Sequence, residues 1–264
     1  MNYRVPTSLL TFKNSKTIKG EKEGVKTAIL YLAPYTQNSK GINLCSHATE
    51  GCAKACLFGS GAARFTQVQA GKTNKTEYYL ADRKAFMLQL KFEIERIVRL
   101  HSAKWDIAIR LNGTSDIPFE KFKIVDDKNI FELFPSVQFY DYTKNHLRFD
   151  KVLPSNYHLT FSRSENNHKK SLELLKRGYN VAVVFGLNKN QALPKTYMGF
   201  EVINGDETDL RFKDKQNVVV GLHYKNLTGA GSKGKNDYSE NDFIVKVPTK
   251  SVSYEYHIAE AVSV

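Results

Sequence analysis

The stretch YHLTFSRSENNHKKSLELLKRGYNVAVVFG (157–186) contains the pattern that decides the fold. YHLTFS (157–162) and VAVVFG (181–186) are short segments rich in apolar, aromatic and β-branched residues, and they predict two strands. Between them, HKKSLELLKRG (168–178) predicts a helix that ends at Gly178, because glycine is favoured just after the last helical turn. A strand, a helix and a strand in this order predict two parallel strands joined by a crossover.

The same alternation continues on both sides of this stretch. A first buried strand is predicted at VKTAILYL (25–32), and a long helix is predicted from Asn74, with Glu77 three residues on, to about His101. IFELF (130–134) predicts a short helix. Further strands are predicted at DIAIRLNG (106–113), VQFYDYT (137–143), FEVINGD (200–206), VVVGLHY (218–224) and, at an edge, FIVKV (243–247).

This order predicts a single-domain α/β protein, either a complete or a partial β/α barrel of the TIM type with parallel strands. A doubly wound open sheet is the alternative. We expect a basic N-terminal arm at 1–25, the barrel domain at 26–250 and a C-terminal tail at 251–264. One domain is the simpler interpretation, since the sequence contains neither a fixed-period repeat nor a Pro/Ser-rich linker.

Composition excludes several classes of protein. The chain has 264 residues, of which 41% are hydrophobic and 12% aromatic, which excludes a disordered chain. No segment approaches the roughly eighteen apolar residues of a membrane span. The first residues contain no signal-peptide core, so we expect a cytoplasmic protein without a membrane partner. The small, odd number of three cysteines argues against a disulfide scaffold.

All three cysteines lie in the twelve-residue segment CSHATEGCAKAC (45–56), with the spacing C-x6-C-x3-C. Three thiolates can bind three irons of a 4Fe–4S cluster and leave the fourth iron open to a ligand. Alternatively, Cys45, His47, Cys52 and Cys56 form a Cys3His set for a tetrahedral zinc. A third interpretation is three buried apolar cysteines, but the neighbouring Gly, Lys, Glu and Ser are not core types.

Two observations favour the iron–sulfur cluster over zinc. Tight zinc sites mostly use pairs of the C-x2-C kind, which this segment lacks. The segment also follows the first buried strand, and β/α barrels carry their chemistry at the C-terminal ends of the strands.

Polar residues follow successive predicted strands, where a barrel places its binding and catalytic groups. They are Asn112, Gly113, Asp116, Asp141, Lys144, Ser162, Glu165, Asp206, Asp209 and Arg211. Loops are polar in any protein, so no single one of these residues indicates a binding or catalytic site. The repetition of polar clusters after successive strands indicates one. Arg110 is a charge within an apolar strand, and we expect it to pair with Asp141 or Glu165, or to bind an anionic substrate.

The charge is strongly positive. Lys and Arg exceed Asp and Glu by 39 to 27, which gives a net charge of +12. Lysines accompanied by aromatic residues are typical of surfaces that bind single-stranded nucleic acid or tRNA. A lysine-rich solvated surface is an equally good explanation, because no helix-turn-helix, zinc-finger or RRM signature is present.

Several blocks of the sequence resemble the phage gene product eighty-eight family. They are LCSHATEGCAKACLFGSGAARF (44–65), IRLNGTSDIPFE (109–120), VQFYDYTK (137–144), YHLTFSRSENN (157–167), VAVVF (181–185) and INGDETDLRFKD (203–214). The resemblance extends from about residue 25 to 247. It implies an origin in phages and mobile elements and assigns no activity.

A more distant similarity is to the radical S-adenosylmethionine enzymes, which have a partial β/α barrel with three cysteines after the first strand. Their usual spacing is C-x3-C-x2-C, whereas this chain has C-x6-C-x3-C. The similarity implies that Cys45, Cys52 and Cys56 hold a 4Fe–4S cluster whose open iron binds S-adenosylmethionine. The residues it implies for binding S-adenosylmethionine are Asn112, Gly113, Asp116, Ser162 and Glu165. Those expected to face the substrate are Asp141, Lys144, Asp206, Asp209 and Arg211.

Three functions are compatible with these patterns. The first is a radical-S-adenosylmethionine-like iron–sulfur enzyme, for which the positive charge favours a nucleotide or a nucleic-acid-related substrate. The second is a non-enzymatic nucleic-acid-binding protein with a structural cluster or zinc. The third is an iron–sulfur protein that acts by contacting a host protein.

Overall fold

The computed structural model of the protein describes residues 3–12, 15–56, 63, 65–225 and 240–247. Within these residues, nine strands form one mixed sheet, and six α-helices accompany it. The protein is therefore an α/β protein, as the alternation of strand and helix patterns predicts. The predicted C-terminal tail (251–264) lies outside the described residues.

The strands are short, and most of their residues are buried. Their bounds are β1 Leu10–Thr11, β2 Val25–Leu30, β3 Asp106–Arg110, β4 Gln138–Thr143, β5 Tyr157–Ser162, β6 Val181–Phe185, β7 Thr196–Tyr197, β8 Phe200–Asn204 and β9 Val219–His223. Their order across the sheet is β1-β2-β3-β4-β5-β6-β9-β8-β7. The seven strands from β2 to β8 in this order are mutually parallel, and the two-residue strands β1 and β7 pair antiparallel at the edges.

The sheet is open among the described residues. β1 and β7 leave two unjoined edges, so the complete barrel predicted from the sequence does not form in this part of the chain, and a partial barrel stays a prediction. FIVKV (243–247), the segment predicted as a last strand, contributes only a single bridge between Val245 and Phe185. One bridge cannot close a barrel, because closure requires a paired strand at every position.

The parallel strands are nevertheless arranged without a reversal from β2 to β6. A doubly wound sheet reverses its strand order near the first strand, so that helices cover both faces. Here each of the strands β2 to β5 is followed in the sheet by the next strand in the chain, whereas β6 is followed by β9. From β2 to β6 the strands therefore lie side by side in the order of the chain. β9 and then β8 follow β6 in the sheet.

The helices differ widely in length. Their bounds are α1 Ser15–Glu21, α2 Glu50–Lys54, α3 Thr66–Ala81, α4 Arg83–His101, α5 Ile130–Leu133 and α6 His168–Lys176. In the described part of the chain, no helix combines the length and the apolar character that a bilayer crossing requires.

The long helix predicted from Asn74 to His101 is two helices. The first begins eight residues earlier, at Thr66, and the second begins after Asp82, whose side chain accepts a hydrogen bond from the backbone N–H of Ala85. Asn74 and Glu77, which predicted the start of a helix, lie inside α3 and form hydrogen bonds with residues outside it. Asn74 exchanges hydrogen bonds with the backbone of Arg4, and Glu77 accepts two from Ser39.

The two faces of the sheet differ in character. Ile107, Ile109, Phe139 and Phe161 belong to the main apolar cluster together with the buried residues of α3 and α4. The alternate positions of the same strands carry polar or charged side chains, among them Arg110, Tyr142 and Ser162. Successive strand residues point to opposite faces, so the buried residues of α3 and α4 pack on the apolar face. The other face carries a smaller apolar cluster of Val25, Ala108, Tyr140 and Leu210 beside the polar residues that line a cavity.

The N-terminal segment packs on this framework. Leu9 and Leu10 are buried, and β1 pairs with β2. Glu93 of α4 accepts hydrogen bonds from the backbone N–H groups of both leucines, at 2.7 and 2.9 Å. A strand and a helix therefore form within the stretch that the sequence predicts as a basic arm at 1–25.

Candidate functional site

A cavity of about 540 Å³ lies at the C-terminal edge of the parallel strands. Its walls come from the segments that follow β2, β3, β4, β8 and β9, together with the ends of β5 and β6. Several loops therefore converge on one volume, which is large enough for a small-molecule ligand. Ligands of open α/β sheets bind at this edge because the loops that vary in sequence meet there.

All three cysteines line this cavity. None of the three is in a disulfide, and each is of intermediate exposure. The pKa of Cys45 is raised to about 11, first by burial and then by the negative charges of Cys56, Asp116 and Cys52. The segment after β2 thus brings three soft sulfur ligands to one wall, where an added positive charge would stabilise their thiolate forms.

These residues fit an iron–sulfur cluster in the type and number of their donors. Three cysteine thiolates are the ligand set that leaves one iron of a 4Fe–4S cluster open. The described residues contain no group of three His, Cys, Asp or Glu side chains close enough together to be recognised as a metal site. The fit therefore rests on the shared cavity wall and not on a preformed coordination geometry.

His47 does not share this wall. It is exposed, and its Nδ1 lies 2.9 Å from the hydroxyl of Ser46. It is absent from the residues that line the cavity, whereas Cys45, Cys52 and Cys56 are present. The Cys3His zinc set considered from the sequence is therefore not brought together among the described residues.

The helix that carries Cys52 is attached by Glu165 to the segment that follows the central strand β5. One carboxylate oxygen of Glu165 accepts from the hydroxyl of Thr49 at 2.7 Å, and the other accepts from the backbone N–H of Gly51 at 2.8 Å. Thr49 is the N-cap of α2. The carboxylate therefore takes up donors at the start of α2 that have no partner within the helix.

Gly51 is required by this close approach. A Cβ atom at this position would lie 2.7 Å from Oε1 of Glu165 and 2.5 Å from the side-chain oxygen of Asn241. Asn241 also donates to the carbonyl oxygen of Gly51 at 3.1 Å. Thr49, Gly51 and Asn241 were not predicted as site residues. For Thr49 and Gly51 the sequence contains one indication, because a threonine before Glu50 and Gly51 is typical of a helix N-cap.

Four of the five residues implied for S-adenosylmethionine binding line the cavity. They are Asn112, Gly113, Asp116 and Ser162. The fifth, Glu165, is engaged with α2 instead and is not part of the lining. The polar residues predicted after β3 and at the end of β5 therefore line one cavity, with the exception of Glu165.

Asn112 and Gly113 shape the loop after β3. The side chain of Asn112 accepts from the backbone N–H of Ile117 at 2.8 Å and donates to its carbonyl at 3.0 Å. A Cβ at Gly113 would lie 2.7 Å from the carbonyl oxygen of Leu30 and 2.6 Å from the ring of Tyr31. The loop therefore lies directly against the end of β2, next to the cysteine segment.

Among the residues predicted to face a substrate, Lys144, Asp206 and Asp209 line the cavity, and Asp141 and Arg211 do not. Asp141 is fully buried, where it accepts hydrogen bonds from the backbone of Asn112 at 2.7 Å and from the hydroxyl of Tyr157 at 3.0 Å. Burial raises the pKa of Asp141 to about 6. Its neighbours Tyr140 and Tyr142 occupy the alternate positions of β4, so Asp141 points away from the cavity.

Arg110 is the buried cation of the cavity floor. Its guanidinium lies 3.2 Å from the carboxylate of Asp209 and 4.0 Å from that of Asp141, and it stacks over the ring of Tyr142 at 4.7 Å. The pairing with Asp141 expected from the sequence is thus the longer of two, and the pairing with Glu165 does not occur. Arg211 is also fully buried and pairs with Asp214 at 3.2 Å.

Asp206 is held by the end of β9. Its carboxylate accepts from the backbone N–H of His223 at 2.9 Å and lies 3.0 Å from Nδ1 of the same residue. The ammonium of Lys225 lies 3.7 Å from its other oxygen. The hydrogen bonds from His223 and the charge of Lys225 outweigh burial and lower the pKa of Asp206.

A comparison with protein families gives a match to the profile described as Gene product 88, over residues 8–238. The chain belongs to the Gene product 88 family. This match confirms the resemblance to the phage gene product eighty-eight family that the sequence blocks indicate. No curated protein and no solved structure matches the chain significantly, and the similarity to radical S-adenosylmethionine enzymes stays a prediction.

The matched region of this Gene product 88 chain includes most of the candidate site. The cysteine segment, the loop after β3 and the ends of β4, β5, β8 and β9 all fall between residues 8 and 238. Phe243 and Asn241, which complete the cavity wall and the α2 contact, lie just beyond it.

Proposed function

We propose that this chain is an iron–sulfur enzyme of the radical S-adenosylmethionine type that acts in the cytoplasm of a host cell. In this proposal Cys45, Cys52 and Cys56 hold a 4Fe–4S cluster, and the open sheet acts as a partial β/α barrel. The observation that carries the proposal is that these three cysteines line one cavity with the polar ends of the parallel strands. A purely structural metal would have no need of such a shared cavity.

Each part of the cavity has a role in this proposal. When bound, a 4Fe–4S cluster with an open iron supplies a coordination position and a single electron. Asn112, Gly113 and Asp116 border the space next to the cysteines, where S-adenosylmethionine would bind. Lys144, Asp206 and Asp209 border the remaining space, where the substrate would bind.

The contacts of the cavity residues indicate that the wall is preorganised. Asp116 accepts from the backbone N–H of Lys144 at 2.9 Å and from the hydroxyl of Thr143 at 3.1 Å, which ties the loop after β3 to the end of β4. Glu165 fixes the start of α2. Groups held in this way do not have to be ordered when a ligand binds, which lowers the cost of binding.

The test is the metal content of protein purified and reconstituted without oxygen. We expect about four irons and four acid-labile sulfides per chain, as a 4Fe–4S cluster requires, together with a visible thiolate-to-iron charge-transfer band. Cys45→Ser, Cys52→Ser and Cys56→Ser should each abolish or strongly reduce this band. Ser46→Ala and His47→Ala are matched controls from the same segment and should retain it.

Two results would contradict the proposal. A colourless protein with one zinc per chain that is lost in His47→Ala would indicate the Cys3His site. A protein that contains the cluster but does not cleave S-adenosylmethionine under reduction would indicate a structural cluster. Salt-sensitive binding of nucleic acid would then favour the non-enzymatic alternative.

A further inference from the structure

The charges that line the cavity are unequal. Five cationic side chains, Lys19, Arg110, Lys144, Lys189 and Lys225, stand against three carboxylates, Asp116, Asp206 and Asp209. The side chains that line the cavity therefore carry more positive than negative charges in the absence of a ligand. What matters for a ligand is which of these charges already have partners within the chain.

The three carboxylates are all engaged. Asp206 is held by His223 and Lys225, as described above. Asp209 pairs with Arg110 and accepts a hydrogen bond from the hydroxyl of Tyr140 at 3.4 Å. Asp116 also has a cation of its own, because the guanidinium of Arg148 lies 3.3 Å from its second oxygen. None of the three is therefore needed to neutralise a further lysine.

Three cavity lysines form no ion pair with a carboxylate among the described residues: Lys19, whose ammonium donates to the carbonyl oxygen of Asp206, Lys144 and Lys189. Of these, Lys144 lies beside a hydroxyl group of the cavity. Its ammonium donates to the hydroxyl of Ser162 at 3.0 Å and lies 5.2 Å from the ring centre of Phe243. Among the described residues, no carboxylate lies within 4.0 Å of it. Lys189, on the exposed loop after β6, adds a second cation at the cavity edge.

Ser162 extends the site formed by Lys144. Its hydroxyl oxygen accepts from Lys144, so the hydroxyl proton remains to be donated. An ammonium and a hydroxyl on adjacent strands therefore present donors to the same point. Charge-assisted donors of this kind are typical of phosphate recognition, for which lysine is a common residue.

The rest of the cavity suits the remainder of such a ligand. Tyr35, Tyr224 and Phe243 line it together with aliphatic side chains of β6 and β9. Its volume of about 540 Å³ is in the range of cavities that take a molecule of nucleotide size. Aromatic side chains are suited to contact a flat ring by stacking.

We propose that the cavity binds a small phosphate-bearing molecule of nucleotide size, with the phosphate on Lys144 and Ser162 and the ring against the aromatic wall. This inference rests on the proposed function in that it names the substrate class of the same cavity. Binding of the anion itself does not require a cluster, so the two proposals can fail separately.

The experiment measures ligand binding by calorimetry to the full-length chain without a cluster. The probes are adenosine monophosphate, adenosine, inorganic phosphate and a short single-stranded oligonucleotide. We expect adenosine monophosphate to bind and adenosine to bind about tenfold or more weakly, as the loss of charge-assisted hydrogen bonds predicts. Affinity should fall as salt rises, because the lysines at the cavity edge are screened.

Variants assign the binding to Lys144. Lys144→Met should weaken the binding of adenosine monophosphate by about tenfold or more, while Lys144→Arg, which keeps the charge, should restore most of it. Lys123→Met is the matched control, because Lys123 is an exposed lysine paired with Glu132 and does not line the cavity. A melting curve for each variant confirms that it is folded.

Three results would overturn the inference: no binding of adenosine monophosphate, equal binding by Lys144→Met and the wild type, or binding of the oligonucleotide alone. The last would indicate a nucleic-acid surface rather than a cavity for a small anion. Iron and sulfide content measured on the same preparations keeps the two proposals apart. Binding without a cluster supports this inference alone, and a cluster without binding supports the proposed function alone.

Discussion

Glu165 joins the cysteine segment to the loop after β5, the central strand of the sheet. Its two carboxylate oxygens accept from Thr49 and Gly51, more than a hundred residues earlier in the chain. Without this carboxylate, the hydroxyl and the backbone N–H would lose their partners. An unpaired, partly buried donor costs about 1–3 kcal/mol of stability.

We therefore predict that Glu165→Ala frays α2 and exposes Cys52. The rate of Cys52 alkylation should rise several-fold, and the free energy of unfolding should fall by about 1–3 kcal/mol. Glu173→Ala is the control, since Glu173 is an exposed residue of α6. An unchanged alkylation rate in Glu165→Ala would show that the carboxylate does not position the cysteine helix.

The ion pair between Arg110 and Asp209 is buried, with side-chain exposures of 8% and 9%. Asp209→Ala should lower the free energy of unfolding by about 3–5 kcal/mol, because it leaves a buried charge without its main partner. The exposed pair of Arg177 and Asp150, at 2.8 Å, is the comparison. Asp150→Ala should cost less than about 1 kcal/mol. Urea titrations measure the free energy of unfolding of both variants. Equal losses in the two would contradict the prediction that the buried pair contributes more than the exposed one.

His158 makes stability depend on pH. Burial, and then the charge of Arg211, lower the pKa of His158 to about 4. The unfolded chain therefore takes up this proton near pH 6.5, before the folded chain does, so the stability that His158 contributes is lost as pH falls toward 4. Relative to His158→Gln, the wild type should lose up to about 3 kcal/mol over this range. Parallel stability curves for the two proteins would contradict the prediction.

At the scale of elements, the break between α3 and α4 places two helices where periodicity predicts one. Asp82 has φ −140° and ψ 79°, outside the helical region, and its carboxylate caps the first turn of α4. α3 begins at Thr66, close after the cysteine segment, and ends before Asp82. α4 follows the break and packs against β3 of the sheet. The apolar spacing alone continues through the break, and only the cap marks it.

Asp82→Ala should lower the free energy of unfolding by about 1 kcal/mol, the usual value of a helix N-cap. Lys84→Ala, at an exposed position two residues later, should change it by less than about 0.5 kcal/mol. Thermal unfolding followed by circular dichroism measures both. A loss in Lys84→Ala as large as that in Asp82→Ala would mean that the cap is not the cause.

At the scale of the whole molecule, one apolar cluster joins the sheet and its helices. It includes buried residues from Leu9 of the N-terminal segment to Val219 of β9, with Trp105 packed at its edge. A core shared over this length of chain couples the unfolding of its parts. The described residues should therefore unfold as one cooperative unit.

We predict coincident urea transitions by Trp105 fluorescence and by far-UV circular dichroism. The single tryptophan reports the junction of α4 and β3, whereas circular dichroism reports all helices and strands. Coincident midpoints are expected because both probes monitor the same cluster. Two separated midpoints would indicate that part of the sheet unfolds independently.

Local patterns in the sequence were sufficient for much of the framework. The seven strands β2 to β6, β8 and β9, the helices α5 and α6 and the cysteine segment after β2 lie where apolar runs, Gly178 and the spacing of the cysteines place them. These features depend on neighbours within a few residues, which a linear pattern records. The convergence of Asn112, Asp116, Lys144 and Ser162 also follows, because parallel strands end at one edge.

Only the tertiary structure decided which polar groups meet. Glu165 contacts α2, Arg110 pairs chiefly with Asp209, and Asp141 is buried outside the cavity lining. These pairings join residues 29 to 114 positions apart, so they depend on strand register and on the path of each loop. The sequence by itself determined the strands, the cysteine segment and the positive charge. The fold determined that the sheet is open among the described residues and that the ammonium of Lys144 meets the hydroxyl of Ser162 at its edge.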